Sequence, residues 1–296
     1  MKAMELIKTL SKGFSSCLIL LILFQANSQS QSVNNESGRQ NHWFIGITGG
    51  PAQTDISIDG TSVISGIVMT RKNSFSISVD AGYFFSKYVG LSTGVGLSPY
   101  ITNFYLDTYS NSLDTVDSED ESYERRISGK DIDETQKIYY LEVPLILTLQ
   151  FPFGKAIGIF AQSGMNLAIP VGKNYSSSGT FTYTGYYPAY NVLLHDIPYE
   201  GFKSNVEIEK SGELKVKTLN PELFVSGGFY FRTERQFQIS LGVFYKKMLS
   251  DISAYPPLTP FHLSTHENQL RSFMEGSEKT AASSMGITIS LRYFIR

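Results

Sequence analysis

The feature that most constrains this chain is an alternation of apolar with small or polar side chains at a period of two residues. Near the C-terminus one phase of this alternation holds Met285, Ile287, Ile289, Leu291, Tyr293 and Ile295. Because successive side chains of a β-strand point to opposite faces of its sheet, the pattern predicts a strand with one apolar face. No segment beyond residue 41 shows sustained apolar spacing of three and four residues, so an all-β protein is predicted.

Seven earlier segments repeat the pattern and bring the number of predicted strands to eight. They occupy approximately residues 42–50, 73–85, 88–105, 137–151, 156–169, 219–232 and 236–249. An even number of antiparallel strands is typical of a closed up-and-down barrel. The sequence therefore predicts an eight-stranded antiparallel barrel.

The lengths of the connections alternate along the chain. Short connections fall at 86–87, 152–155 and 233–235, and long ones at 51–72, 106–136, 170–218 and 250–280. Transmembrane barrels of the bacterial outer membrane have short periplasmic turns and long extracellular loops, whereas a soluble sandwich has no reason to sort its loops in this way. The alternation favours a transmembrane β-barrel.

Charge and aromatic placement favour an apolar face that points outward into lipid. Neither 88–106 nor 156–172 contains a charged residue, although a water-exposed surface needs charge. Aromatic residues gather near the two ends of the strands, which predicts two interfacial girdles. The predicted inner girdle is Trp43, Phe44, Phe84, Phe85, Tyr88, Phe151, Phe153, Phe231, Phe237, Tyr293 and Phe294. The predicted outer girdle is Tyr100, Phe104, Tyr105, Tyr139, Tyr140, Phe244 and Tyr245.

The N-terminus resembles a secretory signal, with lysines before an apolar run that is too short to span a bilayer. We predict a cleaved signal peptide over 1–28, a polar periplasmic linker over 29–41 and the barrel domain over 42–296. Cleavage removes the chain's one cysteine, Cys17, so the mature protein has neither a disulfide nor a thiolate site. The formal net charge of −2 argues against a nucleic-acid partner, which would need a basic face.

Two segments carry a resemblance to a known family. Residues 140–147 read Tyr-Leu-Glu-Val-Pro-Leu-Ile-Leu, and 44–50 read Phe-Ile-Gly-Ile-Thr-Gly-Gly. The first resembles the Leu-Glu-x-Pro-Leu signature of the Bacteroidota outer-membrane β-barrel family that includes PorT-like proteins. The resemblance implies a barrel fold and an outer-membrane location, and the roles of the members are varied. Pro144 lacks a ladder donor and predicts a bulge. Because the chain ends on Arg296, we expect the barrel-assembly machinery to recognise Tyr293 or Phe294.

Charged residues in the inward phase predict a network inside the barrel. A narrow lumen tolerates charges only when they are paired. The alternation of side chains along the strands predicts that four charged residues point inward and that Arg232 lies near the inner rim. The four inward residues are Asp80, Glu142, Lys246 and Arg292. We expect a salt-bridge network that plugs the lumen. The alternative use of these residues is a proton or ion path.

The long connections hold three further candidate sites. In 170–218, tyrosines among small polar residues favour either a binding surface or packing over the barrel mouth; the aromatic candidates are Tyr175, Phe181, Tyr183, Tyr186, Tyr187 and Tyr190. The acidic stretch 107–136 could collect Ca²⁺ but lacks the residue order of a formed calcium loop, so a solvated, mobile loop is expected. His262 and Ser264 could form a hydrolase pair, and His262 with His266 could chelate a metal, but the proline-rich setting favours loop decoration.

These observations predict a non-enzymatic outer-membrane barrel, without cofactor or metal, that presents surface loops. Its expected partners are the outer-membrane lipid bilayer, the assembly machinery and an unknown protein or glycan ligand, with no nucleic acid. Two alternatives remain open, a small passive or gated pore and a barrel-mounted Ser/His hydrolase.

Overall fold

The computed structural model of the chain describes residues 43–59, 66–154, 156–233, 236–256, 258 and 260–295. The predicted signal peptide and linker lie outside these residues. Within the described part of the chain there are ten strands and two short 3-10 helices, the latter at Pro198–Glu200 and Phe273–Gly276. The strands are β1 Trp43–Asp59, β2 Val68–Phe84, β3 Val89–Val116, β4 Ser122–Pro152, β5 Ile157–Tyr187, β6 Val192–Leu194, β7 Lys203–Glu213, β8 Asn220–Arg232, β9 Phe237–Met248 and β10 Lys279–Phe294.

Eight of these strands close into a ring. The antiparallel order is β1-β2-β3-β4-β5-β8-β9-β10, and β10 pairs with β1 to complete the barrel. Strands β6 and β7 pair with the far end of β5 and lie outside the ring. The predicted all-β, eight-stranded antiparallel barrel is therefore confirmed. Closure leaves none of the eight strands with an unpaired edge at the level of the barrel.

The outer surface of the ring is an apolar belt. Ile47, Val79, Leu241 and Val243 are each more than half exposed, and their strand neighbours in the opposite phase are buried or half-buried. A continuous exposed apolar surface of this kind is not stable against water and suits contact with hydrocarbon. The belt is the structural counterpart of the period-two alternation in the sequence.

Three strands continue far beyond the belt. Strands β3, β4 and β5 contain 28, 31 and 31 residues, whereas about 9–11 residues span a bilayer. The excess, about 20 residues, corresponds to roughly 60 Å of strand. We call the described residues of 103–137, 172–218 and 249–278 the extension, and the end of the barrel at which β2 connects to β3, β4 to β5 and β8 to β9 the turn rim.

The lengths of the strands show that the prediction of four long loops was wrong for three of the four connections. Most of 51–72, 106–136 and 170–218 is strand, and only 250–280 is mainly irregular. The physical reason is an inverted pattern. Along β3, Phe104 and Leu106 are buried inside the extension, while Asn103 and Asp107 face outward. With polar residues outside and apolar ones inside, these stretches lack the apolar outer face by which the membrane strands were identified.

Two β-bulges change which side chains point inward, one on β5 where the barrel passes into the extension and one on β4 midway along the extension. Tyr139 pairs with Gly172 but Tyr140 pairs with Pro170, so β5 carries one extra residue. A second shift lies on β4 at Asp131, whose φ of 52° is left-handed. A bulge of one residue exchanges the two faces of a strand. On β5 the exchange places odd-numbered residues such as Phe181 and Tyr183 in the buried face of the extension.

Pro144 is accommodated without the predicted bulge. On one side it pairs with Asn166 of β5. On the other side the β3–β4 ladder is interrupted between the pairs Gly96–Glu142 and Thr93–Leu145, and the register is the same on both sides of the gap. The missing N–H donor of proline is thus placed where the ladder is already open, so the prediction of a bulge was wrong.

A hydrophobic core fills the inside of the extension. The irregular segment 249–278 folds inward and contributes Phe261, Leu263, Phe273 and Met274, all nearly inaccessible to solvent. They join buried residues of β3, β4 and β5, such as Phe181. The outer mouth of the barrel is therefore closed by packed side chains.

The aromatic girdles were only partly predicted. At the turn rim, Trp43 lies against Tyr83 at 5.0 Å on the outer face, but Phe44, Phe84 and Phe294 point inward and form a cluster in the lumen. Four residues of the predicted outer girdle are also buried rather than lipid-facing: Tyr100, Phe104, Tyr140 and Phe244. The position of an aromatic residue near a strand end does not show whether its ring faces the lipid or the lumen.

Candidate functional sites in the lumen and the extension

The first lumen ion pair joins β2 to β10 across β1. Asp80 Oδ2 lies 3.5 Å from Arg292 Nε, and both side chains are about nine-tenths buried. Each residue pairs in register with Gly46 of β1. The guanidinium also lies over the Phe44 ring at 4.6 Å, a distance at which a cation is attracted to the π-face. The pair therefore seats Arg292 just above the Phe44, Phe84 and Phe294 cluster.

The second ion pair joins β4 to β9 across the barrel. Lys246 Nζ donates to Glu142 Oε2 at 2.5 Å and to Ser98 Oγ at 2.9 Å. Both pairs line one lumen cavity of about 80 Å³, which Pro144 also lines. A buried charge is tolerated when it is paired and hydrogen-bonded. Four of the five predicted lumen residues thus surround the same space.

Arg232 lies apart from these pairs. Its guanidinium donates to the side-chain oxygens of Gln238 at 2.9 Å and Gln150 at 3.2 Å, and it stacks on the Phe294 ring at 4.6 Å. It is held by amides and an aromatic face instead of a carboxylate. The structure therefore places Arg232 in the closure of the turn rim, outside the two ion pairs.

A third buried acid, Glu222, was missed in the sequence. Its carboxylate accepts a hydrogen bond from Asn166 Nδ2 at 2.6 Å and another from the Tyr100 hydroxyl. Glu222 lies near the start of β8 in the same phase as Ser226, opposite the outward Leu223. Extending the alternation of β8 back to residue 222 would have predicted that the Glu222 side chain points inward. It links β3, β5 and β8 at the top of the lumen.

The tyrosine-rich candidate surface needs correction. Five of its six residues lie on β5, and Phe181, Tyr183 and Tyr187 are buried in the cores of the extension. Strand alternation beyond the β5 bulge turns these odd-numbered residues inward, so Phe181 and Tyr183 are unavailable as surface contacts and Tyr187 is only 6% exposed. Tyr175 is half-buried against the main core. Only Tyr186 and Tyr190 retain contact with solvent near the tip, where Tyr190 is 62% exposed.

The acidic stretch is an ordered β-hairpin and not the mobile loop that was expected. Its strands pair in continuous register as far as Val116 and Ser122. Asp117 Oδ1 accepts the main-chain N–H groups of Glu119 and Glu121 at 2.9 and 3.0 Å, which closes the turn. Among the described residues, no group of three or more histidine, cysteine, aspartate or glutamate side chains is arranged to hold a metal ion.

The Ser/His pair considered from the sequence is not assembled. Ser264 is fully buried, and its hydroxyl bonds to the Tyr183 hydroxyl at 2.6 Å and to the main-chain oxygen of His266 at 3.2 Å. The His262 ring instead bonds Asn111 Nδ2 at 2.8 Å. A nucleophile must be within reach of its base and of the substrate. These contacts give Ser264 and His262 structural roles in the segment 249–278.

Glu134 fixes this segment to the barrel. Its carboxylate is fully buried and accepts hydrogen bonds from Gln136 Nε2 and Ser272 Oγ, both at 2.7 Å, and from the Phe273 N–H at 3.2 Å. Burial raises the pKa of Glu134 from 4.5 to about 7, although these hydrogen bonds oppose the rise. The closure of the outer mouth therefore rests on a carboxyl group that titrates near neutral pH.

A comparison with protein families decides what this barrel is. Residues 27–263 match the model of the outer membrane protein beta-barrel domain. The chain belongs to this family. It is thus an outer-membrane β-barrel, and the apolar belt is its lipid-facing surface. No curated protein matches it significantly. No helix among the residues described is long and apolar enough to cross a membrane.

Solved structures similar to this outer-membrane barrel include those of two bacterial proteins. Neisserial surface protein A is 8% identical, and the match covers 86% of this chain and 97% of that protein with a TM-score of 0.35. Ail, the attachment invasion locus protein of Yersinia pestis, is 10% identical, and the match covers 85% and 99% of the two chains with a TM-score of 0.29.

Proposed function

We propose that this protein is a non-enzymatic surface protein of the outer membrane whose extension recognises a partner protein or a glycan. The observation that carries the proposal is an ordered extension above a closed lumen. About two thirds of β4 and β5 lies beyond the length that a bilayer requires. The strand segments beyond this length form a rigid scaffold. A rigid scaffold favours recognition because it loses little conformational freedom on binding.

Closure at both ends of the barrel supports recognition over transport. The segment 249–278 packs into the outer mouth, and the rings of Phe44, Phe84 and Phe294 meet at 5.5 to 6.0 Å inside the turn rim. Between these closures, the two ion pairs cross-link strands that are not neighbours in the ring. We propose that the lumen charges brace the barrel.

The second candidate function is a small pore, which the cavity between the closures favours. Single-channel recording of the purified protein in planar bilayers separates the two. We expect no reproducible conductance steps. Steps that change when Phe44 is replaced by alanine would support the pore and contradict the proposal.

Export and assembly complete the proposal. A signal peptide over 1–28 would direct the chain to the periplasm, and kinship with PorT-like barrels of the Bacteroidota would fit the motif at 140–147. Tyr293 is the better contact for the assembly machinery, because its ring faces outward while Phe294 is buried in the lumen cluster. A Tyr293→Ala variant should assemble more slowly than a Phe231→Ala variant, which removes another exposed rim aromatic.

Crosslinking in intact cells tests the recognition proposal. A photoreactive amino acid at Asp107, Ser110 or Lys210, all exposed on the extension, should capture a partner protein or glycan. The same amino acid at Lys87 in the turn rim serves as the control. Reproducible capture from the extension alone is expected, whereas equal capture from Lys87 or none from any extension position would contradict the proposal.

A further inference from the structure

A cleft at the tip of the extension combines shape, aromatic surface and charge. It lies between the turn of the β3–β4 hairpin, the end of β5, β6 and the 3-10 helix at Pro198–Glu200, and it is an open cleft with a volume of about 290 Å³. We call it the tip cleft. It opens to solvent at the point of the extension farthest along the strands from the membrane belt, where a partner would first make contact.

The charge of the tip cleft is wholly negative. Four carboxylates line it, and no lysine or arginine does so among the residues described. They belong to Asp117, Glu119, Glu121 and Glu200. The main-chain N–H groups of Glu121 and Glu119 lower the pKa of Asp117, so this carboxylate stays ionised in mildly acidic media. The cleft therefore presents a negative potential over the whole physiological range of pH.

Two neighbouring arginines, Arg125 and Arg126, do not line the tip cleft and bond to other groups. Arg125 Nη2 donates to the main-chain oxygen of Gly201 at 2.8 Å. Arg126 pairs with Glu124 at 2.7 Å and lies over the Tyr186 ring at 4.2 Å. Charge complementarity is thus left to a ligand from outside the described chain.

Three tyrosines line the tip cleft together with the carboxylates. The Tyr187 hydroxyl donates to Asp117 Oδ2 at 2.9 Å, and the Tyr190 hydroxyl donates to Glu121 Oε1 at 2.7 Å. These bonds fix two aromatic rings beside the carboxylates. Tyr199 is 86% exposed, which is unusual for so large a ring in a folded domain. An ammonium or guanidinium group is attracted both to aromatic faces and to carboxylates.

The remaining wall of the tip cleft is aliphatic and is formed by Val192, Leu194 and Ile197. Lysine and arginine carry apolar stems behind their charged groups, and such stems pack on aliphatic surface. The volume exceeds what one amine would fill. An extended peptide with several residues, at least one of them basic, matches the cleft in size, charge and apolar surface.

We propose that the tip cleft binds a basic peptide segment of a partner protein, with a lysine or arginine side chain among its tyrosines and carboxylates. The inference rests on the proposed function and assigns the chemistry of its partner. A purely solvated acidic turn would need neither the bonded tyrosines nor the aliphatic wall.

Fluorescence anisotropy on the full-length mature protein in detergent micelles tests this inference. The probe is a fluorescein-labelled twelve-residue peptide of alternating lysine, arginine and glycine, at physiological salt. We expect saturable binding that weakens at least tenfold in a Glu119→Gln/Glu121→Gln variant and in Tyr199→Ala. The matched control is Glu207→Gln/Glu209→Gln on β7, which removes the same charge from an exposed strand of the extension and should change the affinity less than twofold. Each variant must retain heat-modifiable migration on gels.

Three outcomes would overturn the inference. Equal weakening by the β7 control would show that only the overall charge matters. Competition by spermine as effective as that by the unlabelled peptide would assign the cleft to small polyamines. Absence of saturable binding to the wild-type protein would remove the site. Partner capture from Asp107, Ser110 or Lys210 in cells would still stand in that case, so the failure of the tip cleft and that of the proposed function are distinguishable.

Discussion

Asp80 and Arg292 face each other across Gly46, with 3.5 Å between the carboxylate Oδ2 and the guanidinium Nε. A Cβ at Gly46 would lie 2.9 Å from Arg292 Cγ and 3.2 Å from Asp80 Oδ1. Because Gly46 has no side chain, the space over β1 is free for the ion pair to form. The ion pair thus links β2 and β10 across β1 at one depth of the barrel, and β1 contributes no side chain to it.

Removal of Asp80 should destabilise the barrel. An Asp80→Ala variant leaves Arg292 buried without its carboxylate, which costs about 3–5 kcal/mol. The temperature at which the folded band disappears on unboiled gels should fall clearly. The control is Asp55→Ala, which breaks the solvent-exposed pair with Arg71 and should cost at most about 1 kcal/mol. Equal effects of the two variants would refute the bracing role of the lumen pair.

Close approach of backbones explains a second group of glycines. A Cβ at Gly94 would lie 2.1 Å from the Val79 carbonyl oxygen, whereas at Gly154 nothing lies within 4 Å. Because a carbonyl in a ladder cannot rotate away, Gly94→Ala should shift β2 from β3 and reduce the folded fraction several-fold. Gly154→Ala should leave it unchanged. Quantitative gel shift after refolding into detergent checks both, and a fully folded Gly94→Ala barrel would contradict the geometry.

The extension should loosen as the pH rises. Since the pKa of Glu134 is raised to about 7 in the folded state from 4.5, the folded form holds the proton more tightly. Its stabilising effect is full below about pH 4.5 and is lost as the pH rises through about 7, a change of roughly 3 kcal/mol. Hydrogen exchange of residues 270–276 measures this local stability.

The control for Glu134 is the Glu134→Gln variant, which keeps an acceptor oxygen and has no proton to lose. Comparison of the two proteins at each pH cancels the intrinsic pH dependence of exchange. Protection in the wild-type protein should decrease relative to the variant between pH 5 and 8. A constant difference over this range would show that Glu134 does not govern the segment.

The membrane part of the fold could be predicted from the sequence because lipid imposes a simple rule on each strand. Outward residues such as Val79 and Leu241 must be apolar, so their phase is visible in the sequence. The same phase placed Asp80 and Arg292 inside. The extension follows no such rule, because its outer face meets water and a bulge on each of β4 and β5 changes the phase. The sequence therefore left open whether Tyr183 belongs to a binding surface or packs over the barrel mouth.

The tip cleft could not have been found from local patterns at all. Three of its carboxylates come from the β3–β4 turn, whereas its tyrosines and Glu200 come from the end of β5, the turn that follows it and the 3-10 helix, so that Asp117 and Tyr199 meet only through pairing of long strands. Glu222, by contrast, was within reach of the sequence. Its phase follows from Leu223 and Val225 in the next residues.

The central claim is that a closed, lipid-embedded barrel presents the extension to the outside of the cell. Because Cys17 is the chain's one cysteine and lies in the predicted signal peptide, single cysteines can be placed without background. A membrane-impermeant maleimide applied to intact cells should label cysteine at Ser110 in the extension. Cysteine at Lys87 in the turn rim should react only after the outer membrane is permeabilised. Labelling of Lys87→Cys but not Ser110→Cys in intact cells would contradict the account.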